Sequence, residues 1–342
     1  MRYLYFLLFI SILTSSCKSS YKLRAYSLPD PVDTRDKEVQ KIERGILKLS
    51  DGVGIRNDYP TARASGFSAI DNDTYQVDIS AENYPINESP WFGFKIWADT
   101  NRDITLILQY QRFKHRYDPK ISRDGENWSS LDTNLIVNDI SGKRASFPLN
   151  VSQDTLWISA QEIQDYQDCL EWSSSIASNP NVRTEVIGKS RQGRDIIFIE
   201  MGKGASLKKP AIVVLSRQHP PEVTGYLAMQ YFVERILDKG IDNGFLDKYN
   251  VLVYPMMNPD GVDLGYYRHN TGGVDLNRDW ASYEQQEVRT IVKHIVEEAK
   301  KHKYDVQIGL DFHSTYRDVY YTLDDSVDRK MPWFTTVFVL NQ

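Results

Sequence analysis

Leu215-Ser216-Arg217-Gln218-His219-Pro220-Pro221-Glu222-Val223-Thr224-Gly225 decides how the rest of this chain is read. Ala211-Ile212-Val213-Val214 precedes it, a short apolar, β-branched run that reads as a buried strand. Tyr226 to Lys239 follows with helical periodicity. His219 and Glu222 therefore fall in a strand-to-helix turn, at the carboxyl end of a strand, where open α/β sheets bind ligands. Their spacing lets one imidazole and one carboxylate grip the same cation. Pro220 and Pro221 stiffen the turn between them, because each proline fixes φ.

A catalytic zinc ion takes three protein ligands and keeps a fourth position open, and two histidines with a glutamate form one such set. The second histidine must come from another strand end. His313 fits, following the strand-like run Val306-Gln307-Ile308-Gly309-Leu310-Asp311-Phe312. The residues thus point to Zn2+ held by His219, Glu222 and His313.

Between these ligands lie Asn258-Pro259-Asp260-Gly261, Tyr267-Arg268-His269-Asn270 and Gly273-Val274-Asp275-Leu276-Asn277-Arg278-Asp279-Trp280. In this order the motifs resemble the zinc metallocarboxypeptidase family, most closely its cytosolic carboxypeptidase branch, over roughly residues 60 to 342. The resemblance implies that Asp275 accepts a hydrogen bond from a ligand histidine, fixing its orientation. It implies that Asn277 and Arg278 hold a substrate's terminal carboxylate, a task suited to a planar, always-charged guanidinium. Arg268 matches the residue that stabilises the oxyanion of the tetrahedral intermediate. Trp280 reads as packing, and Arg217 and Gln218 receive no role.

The 342 residues suggest two domains, and 41% hydrophobic residues with a net charge of −5 describe an ordinary globular protein. No basic patch argues for nucleic acid. Residues 1–17 read as a signal segment with a possible lipobox. Arg2 starts it, Leu4 to Leu13 is too short to span a bilayer, and Cys17 is positioned for lipidation. This predicts an exported protein, periplasmic or an outer-membrane lipoprotein of a bacterium, attached to the membrane through Cys17. Cys169, the second of two cysteines, reads as a buried small hydrophobe.

Residues 18–158 read as a linker and an antiparallel β-sandwich. Short runs at Thr74 to Ile79, Trp91 to Ala98, Ile104 to Tyr110, Asn134 to Val137 and Thr155 to Ser159 are separated by turn clusters such as Glu82 to Pro90. Tyr84-Pro85-Ile86-Asn87 and His115-Arg116-Tyr117 resemble the sandwich preceding the catalytic domain of cytosolic carboxypeptidases. Trp91, Trp97 and Trp128 read as core packing rather than a sugar platform. Residues 159–342 read as an α/β carboxypeptidase-like domain with a mixed, mostly parallel sheet. It opens on a helix from Gln161 to Ala177 with Ser159 as its cap.

In the resembled family the general base is a glutamate on a late strand, beyond the third ligand. This chain has no glutamate after His313, and Asp318, Asp324, Asp325 and Asp328 match no motif there. The expectation is a carboxypeptidase domain lacking its C-terminal part, poorly folded and slow as it stands. The expected function is zinc-dependent removal of C-terminal residues from peptides or proteins. The alternatives are a non-catalytic zinc- and peptide-binding lipoprotein, or deacylation of small amino-acid conjugates.

Overall fold

The computed structural model describes residues 23, 25, 27, 30–86, 89–202, 209–240 and 244–315. The signal segment with Cys17, Asn87, the four late aspartates and the apolar run from Trp333 to Leu340 lie outside the described residues. No helix among the described residues is long and apolar enough to cross a membrane.

The first unit is two sheets sharing one core. One sheet orders its strands Ile46–Lys48, Val53–Arg56, Gly93–Ala98, Leu156–Ser159, Lys120–Ser122 and Ser129–Ser130. The other runs Gly66–Ala69, Thr74–Ile79, Arg102–Tyr110, Arg144–Val151 and Val137–Asn138. Alternation drives both: Tyr75, Val77 and Ile79 point inward from one strand and meet Phe94, Ile96 and Ile158 of the facing sheet. The first sheet is antiparallel throughout, but Thr74–Ile79 and Arg102–Tyr110 pair in parallel, which corrects the wholly antiparallel expectation. The chain between them crosses to the opposite sheet to form Gly93–Ala98 and returns running the same way.

Asn134 to Val137 is not one strand. Asp132 accepts the Asn134 N–H and winds Thr133–Leu135 into a 3₁₀ turn before the short strand Val137–Asn138. The three tryptophans do not share a platform. Trp91 is buried in the core, Trp97 lies against Gly54, and Trp128 meets Trp157 edge-on.

The second unit opens on the helix Tyr166–Ile176, five residues later than the sequence suggested. Ser159 ends a strand, and the cap is Asp165, whose carboxylate takes the Gln167 and Asp168 N–H groups while Asp168 reaches back. The five-stranded sheet orders Val182–Lys189, Asp195–Met201, Asn250–Tyr254, Pro210–Ser216 and Asp305–Phe312. Two of its four pairings are parallel, both made by Pro210–Ser216. The sheet is therefore mixed rather than mostly parallel. A tight turn with Gly193 at φ 89 folds the first two strands back on each other as a hairpin.

Asn250–Tyr254 is buried along its whole length because both sheet faces are covered. Val251 and Val253 face the helix Val223–Gly240 through Tyr226, Met229 and Val233. Leu252 and Tyr254 face the helix Gln286–His302 through Val288 and Ile291. Cys169 is free and fully buried, as its composition suggested.

Candidate active site

The strand Pro210–Ser216 ends where the turn begins, and the helix Val223–Gly240 starts directly after Glu222. Asn258 ties the turn down from the neighbouring strand end. Its N–H donates to the Arg217 carbonyl at 3.1 Å, and its side-chain amide donates to the Gln218 and His269 carbonyls at 3.1 and 3.0 Å. Its side-chain oxygen accepts the Gly261 N–H at 3.0 Å and caps the short helix Pro259–Asp263. Arg217 sits at φ 54, in the left-handed region that costs a β-carbon-bearing residue roughly 1–2 kcal/mol. Its side chain turns inward: Nε donates to the Pro220 carbonyl at 2.9 Å and the guanidinium lies 5.2 Å from the Tyr226 ring centre. Burial pulls the Arg217 pKa down to about 10.

His219, Glu222 and His313 converge, with one ligand atom from each lying within 4.8 Å of the others. The two imidazoles approach Glu222 in the same way. His219 Nδ1 is 2.9 Å from Glu222 Oε1, and His313 Nδ1 is 2.7 Å from Glu222 Oε2. The far nitrogens each meet an aspartate: His219 Nε2 is 2.9 Å from Asp275 Oδ1 and His313 Nε2 is 2.8 Å from Asp311 Oδ2. Two imidazole nitrogens and a carboxylate oxygen form a donor set suited to zinc, and each far nitrogen has a carboxylate to fix its tautomer.

Burial alone would discharge these groups, but their mutual charges outweigh it. Against burial, Glu222 and Asp275 hold the His219 pKa above the usual imidazole value. Against burial, Asp311 and Glu222 push His313 up to about 10. Burial opposes ionisation of Glu222 too, yet His219 and then His313 bring it to about 2. Asp275 lies below the ordinary carboxylate range because His219 and Arg268 overcome its own burial.

The remaining residues singled out in the sequence join this cluster. Arg268 Nε donates to Asp275 Oδ2 at 2.8 Å, so one carboxylate serves a histidine and the arginine together. Asp275 also accepts the Asn277 N–H at 2.9 Å and caps the 3₁₀ turn Leu276–Ala281, so it is both an orienting group and a cap. Arg278 lies half exposed, with Nη1 on the Asn277 carbonyl at 3.2 Å and Nε 3.8 Å from Asp275 Oδ2. Asn277 Nδ2 stands 3.5 Å from His313 Nε2.

Sequence reading missed four participants. Asp311 lies near the end of the strand Asp305–Phe312, two residues before His313, which follows that strand directly and turns to the same side; that Asp-x-His spacing was the available signal. Gln218, fully buried, accepts the Trp280 indole N–H at 3.0 Å and donates to Asp311. Trp280 thus supports the shell around His313 besides packing. Glu82 and Asn83, from the two-sheet unit, bond to the loop carrying Arg268. They lay inside a turn cluster with no local pattern to mark them. Gly225 lets the His313 strand end approach the helix, since a β-carbon there would stand 2.7 Å from the His313 backbone.

The family described as zinc carboxypeptidase matches residues 170–335. Among curated proteins, the chain is similar to cytosolic carboxypeptidase 2 of Homo sapiens, 24% identical over 288 residues, covering 72% of this chain and 31% of that protein. It is also similar to an uncharacterised protein of Zymomonas mobilis, 25% identical over 199 residues, covering 56% of this chain and 50% of that one. The chain thus spans between about a third and a half of these relatives' length. The fold is similar to that of a metallo-carboxypeptidase from Burkholderia cenocepacia, with a TM-score of 0.66 at 18% identity, over 77% of this chain and 71% of that one.

Proposed function

This chain belongs to the zinc carboxypeptidase family over residues 170–335, and from that premise we propose that it removes C-terminal residues from peptides or proteins by zinc-dependent hydrolysis. The observation carrying this reading is the convergence of His219 Nδ1, His313 Nδ1 and the Glu222 carboxylate, with both far nitrogens committed to aspartates. Bound there, zinc supplies Lewis acidity to a scissile carbonyl and acidifies an attacking water. The chain's own residues do the rest. Asp275 and Asp311 hold the two imidazoles so that Nδ1 is the free ligand atom. Arg268 spends Nε on Asp275, and its terminal nitrogens have no hydrogen-bond partner among the described residues. They are suited to meet charge developing on the carbonyl oxygen. Arg278 and Asn277 bind the terminal carboxylate, the guanidinium by two parallel bonds, and so restrict cleavage to chain ends.

The test is metal analysis together with calorimetry on matched peptides. The expected result is one zinc per chain, and a free-acid peptide binding at least about tenfold tighter than its C-terminal amide, a difference of about 1.4 kcal/mol. Arg278→Ala should erase that preference and leave zinc content unchanged. Equal affinity of the wild-type chain for acid and amide overturns the clamp. Zinc and acid-selective binding without release of amino acids would instead favour a zinc- and peptide-binding protein.

A further inference from the structure

The loop bearing Arg268 does not hold itself. Its three successive N–H groups, on Tyr267, Arg268 and His269, all point at the carboxylate of Glu82. The distances are 2.8 Å from Tyr267 N to Oε2, and 3.0 and 2.7 Å from Arg268 N and His269 N to Oε1. Successive backbone N–H groups turned to one point make a concavity that binds anions. Here the anion is a side chain of the same molecule, 185 residues upstream in the first unit. Glu82 is fully buried. An ionised carboxylate out of water is costly unless its oxygens are satisfied, and three N–H donors satisfy it. Asn83 adds a second grip. Its side-chain oxygen meets His269 Nδ1, and its amide donates to the Gly273 carbonyl at 2.9 Å. Gly273, at φ 70, has space for no β-carbon there, since one would stand 2.6 Å from Asn83 Nδ2. Tyr267 itself is buried in the core of the two-sheet unit.

The far end of the same loop reaches the metal turn. Arg268 Nε bonds Asp275, and Asp275 bonds His219. The backbone conformation at Arg268 sets where its guanidinium starts, and that backbone is set by Glu82. We propose that Glu82, assisted by Asn83, is a positioning residue: the first unit supplies the anion that shapes the loop and so aims Arg268 at developing negative charge. This rests on the function proposed above, because it assumes Arg268 meets an oxyanion.

A carboxamide at position 82 keeps the shape but loses the charge and turns one acceptor into a donor facing an N–H. Glu82→Gln should therefore mis-aim Arg268 without emptying the metal site. The probes are N-blocked dipeptides ending in Phe, Lys or Glu, and their phosphonate counterparts, whose tetrahedral anionic phosphorus replaces the scissile carbonyl. Calorimetry on the zinc-loaded chain reads both affinities. Glu82→Gln is expected to weaken phosphonate binding at least about tenfold, with peptide binding within about twofold and zinc content unchanged. In an Arg268→Ala background, Glu82→Gln should cost nothing further for the phosphonate. Equal losses for both probes, or losses that add to those of Arg268→Ala, overturn the proposal in favour of a merely structural role. If Glu82→Gln does not fold, Asn83→Ala, which leaves the carboxylate in place, should show the same split at about threefold, and no split there overturns it. A wild-type chain that takes up no zinc, or binds the phosphonate no better than the peptide, fails the underlying function and this inference together. A wild type that passes while the variants show no split sinks this inference alone.

Discussion

The two sides of the candidate site are secured in opposite ways. The turn from Arg217 to Glu222 is held within the second unit, by its own residues (Arg217 to Pro220, His219 to Glu222) and by Asn258, Asp275 and Asp311 from nearby strand ends and loops. The loop from Tyr267 to Asp275 is held also by residues 185 to 190 positions away in the first unit, Glu82 and Asn83. The turn bearing His219 and Glu222 is thus secured within its own unit, the local side, whereas the loop bearing Arg268 also depends on the first unit, the remote side. Damage to the local side should reach the metal directly. Damage to the remote side should alter stability or aim while sparing the metal.

The largest expected effect comes from breaking the local side. Arg217→Ala removes a buried guanidinium, its bond to Pro220 and its contact with Tyr226. It should destabilise the chain by about 2–4 kcal/mol and weaken zinc binding, as read by denaturant unfolding and chelator competition. Arg217→Gly should cost about 1 kcal/mol less, because glycine accepts φ 54 without strain. Equal costs for the two variants would mean that the left-handed backbone stores nothing.

On the remote side, the segment before the first unit reaches the residues just beyond the loop. Thr34, nearly fully buried, donates to Asp279 Oδ1 at 2.6 Å, and its carbonyl accepts Gln285 Nε2 at 2.7 Å. Thr34→Val takes one of two donors from the buried Asp279 Oδ1, leaving the Glu284 N–H at 2.9 Å, and should cost about 1 kcal/mol. Zinc affinity should stay at the wild-type value. A drop in zinc affinity would show that the two sides are not separable as described.

The smallest effect concerns pH. In the metal-free chain His313 is pushed up to about 10, Asp311 being the leading charge partner against burial. An unfolded histidine releases its proton near about 6.5. The folded value is the higher one, so the stability contributed by this pairing is complete below about 6.5 and is lost as pH rises through about 10. Zinc affinity runs the other way, because the metal must displace the proton. It should climb about tenfold per pH unit for each proton displaced across the neutral range. Asp311→Asn weakens the hold on that proton and should flatten the slope, measured by chelator competition at several pH values. An unaltered slope would mean that Asp311 does not govern His313.

The sequence by itself marked His219, Glu222 and His313 and their setting, and the structure brings the three together. An imidazole and a carboxylate three residues apart in a strand-to-helix turn can grip one cation, and a histidine at a second strand end of the same sheet meets them in the structure. Strand runs were legible because apolar alternation is a local property, as in Thr74–Ile79, where the expected bounds agree with the structure. Tertiary structure decided the rest. That Asp165 rather than Ser159 caps a helix depended on where the preceding strand stopped pairing. That Thr74–Ile79 pairs in parallel depended on the chain visiting the opposite sheet in between. That Glu82 belongs to the site had no mark in the chain, since a glutamate in a turn reads as solvated. Only folding brings three N–H groups to it from the other unit, and the free energy of that contact lies in burial and hydrogen bonding that no local pattern encodes.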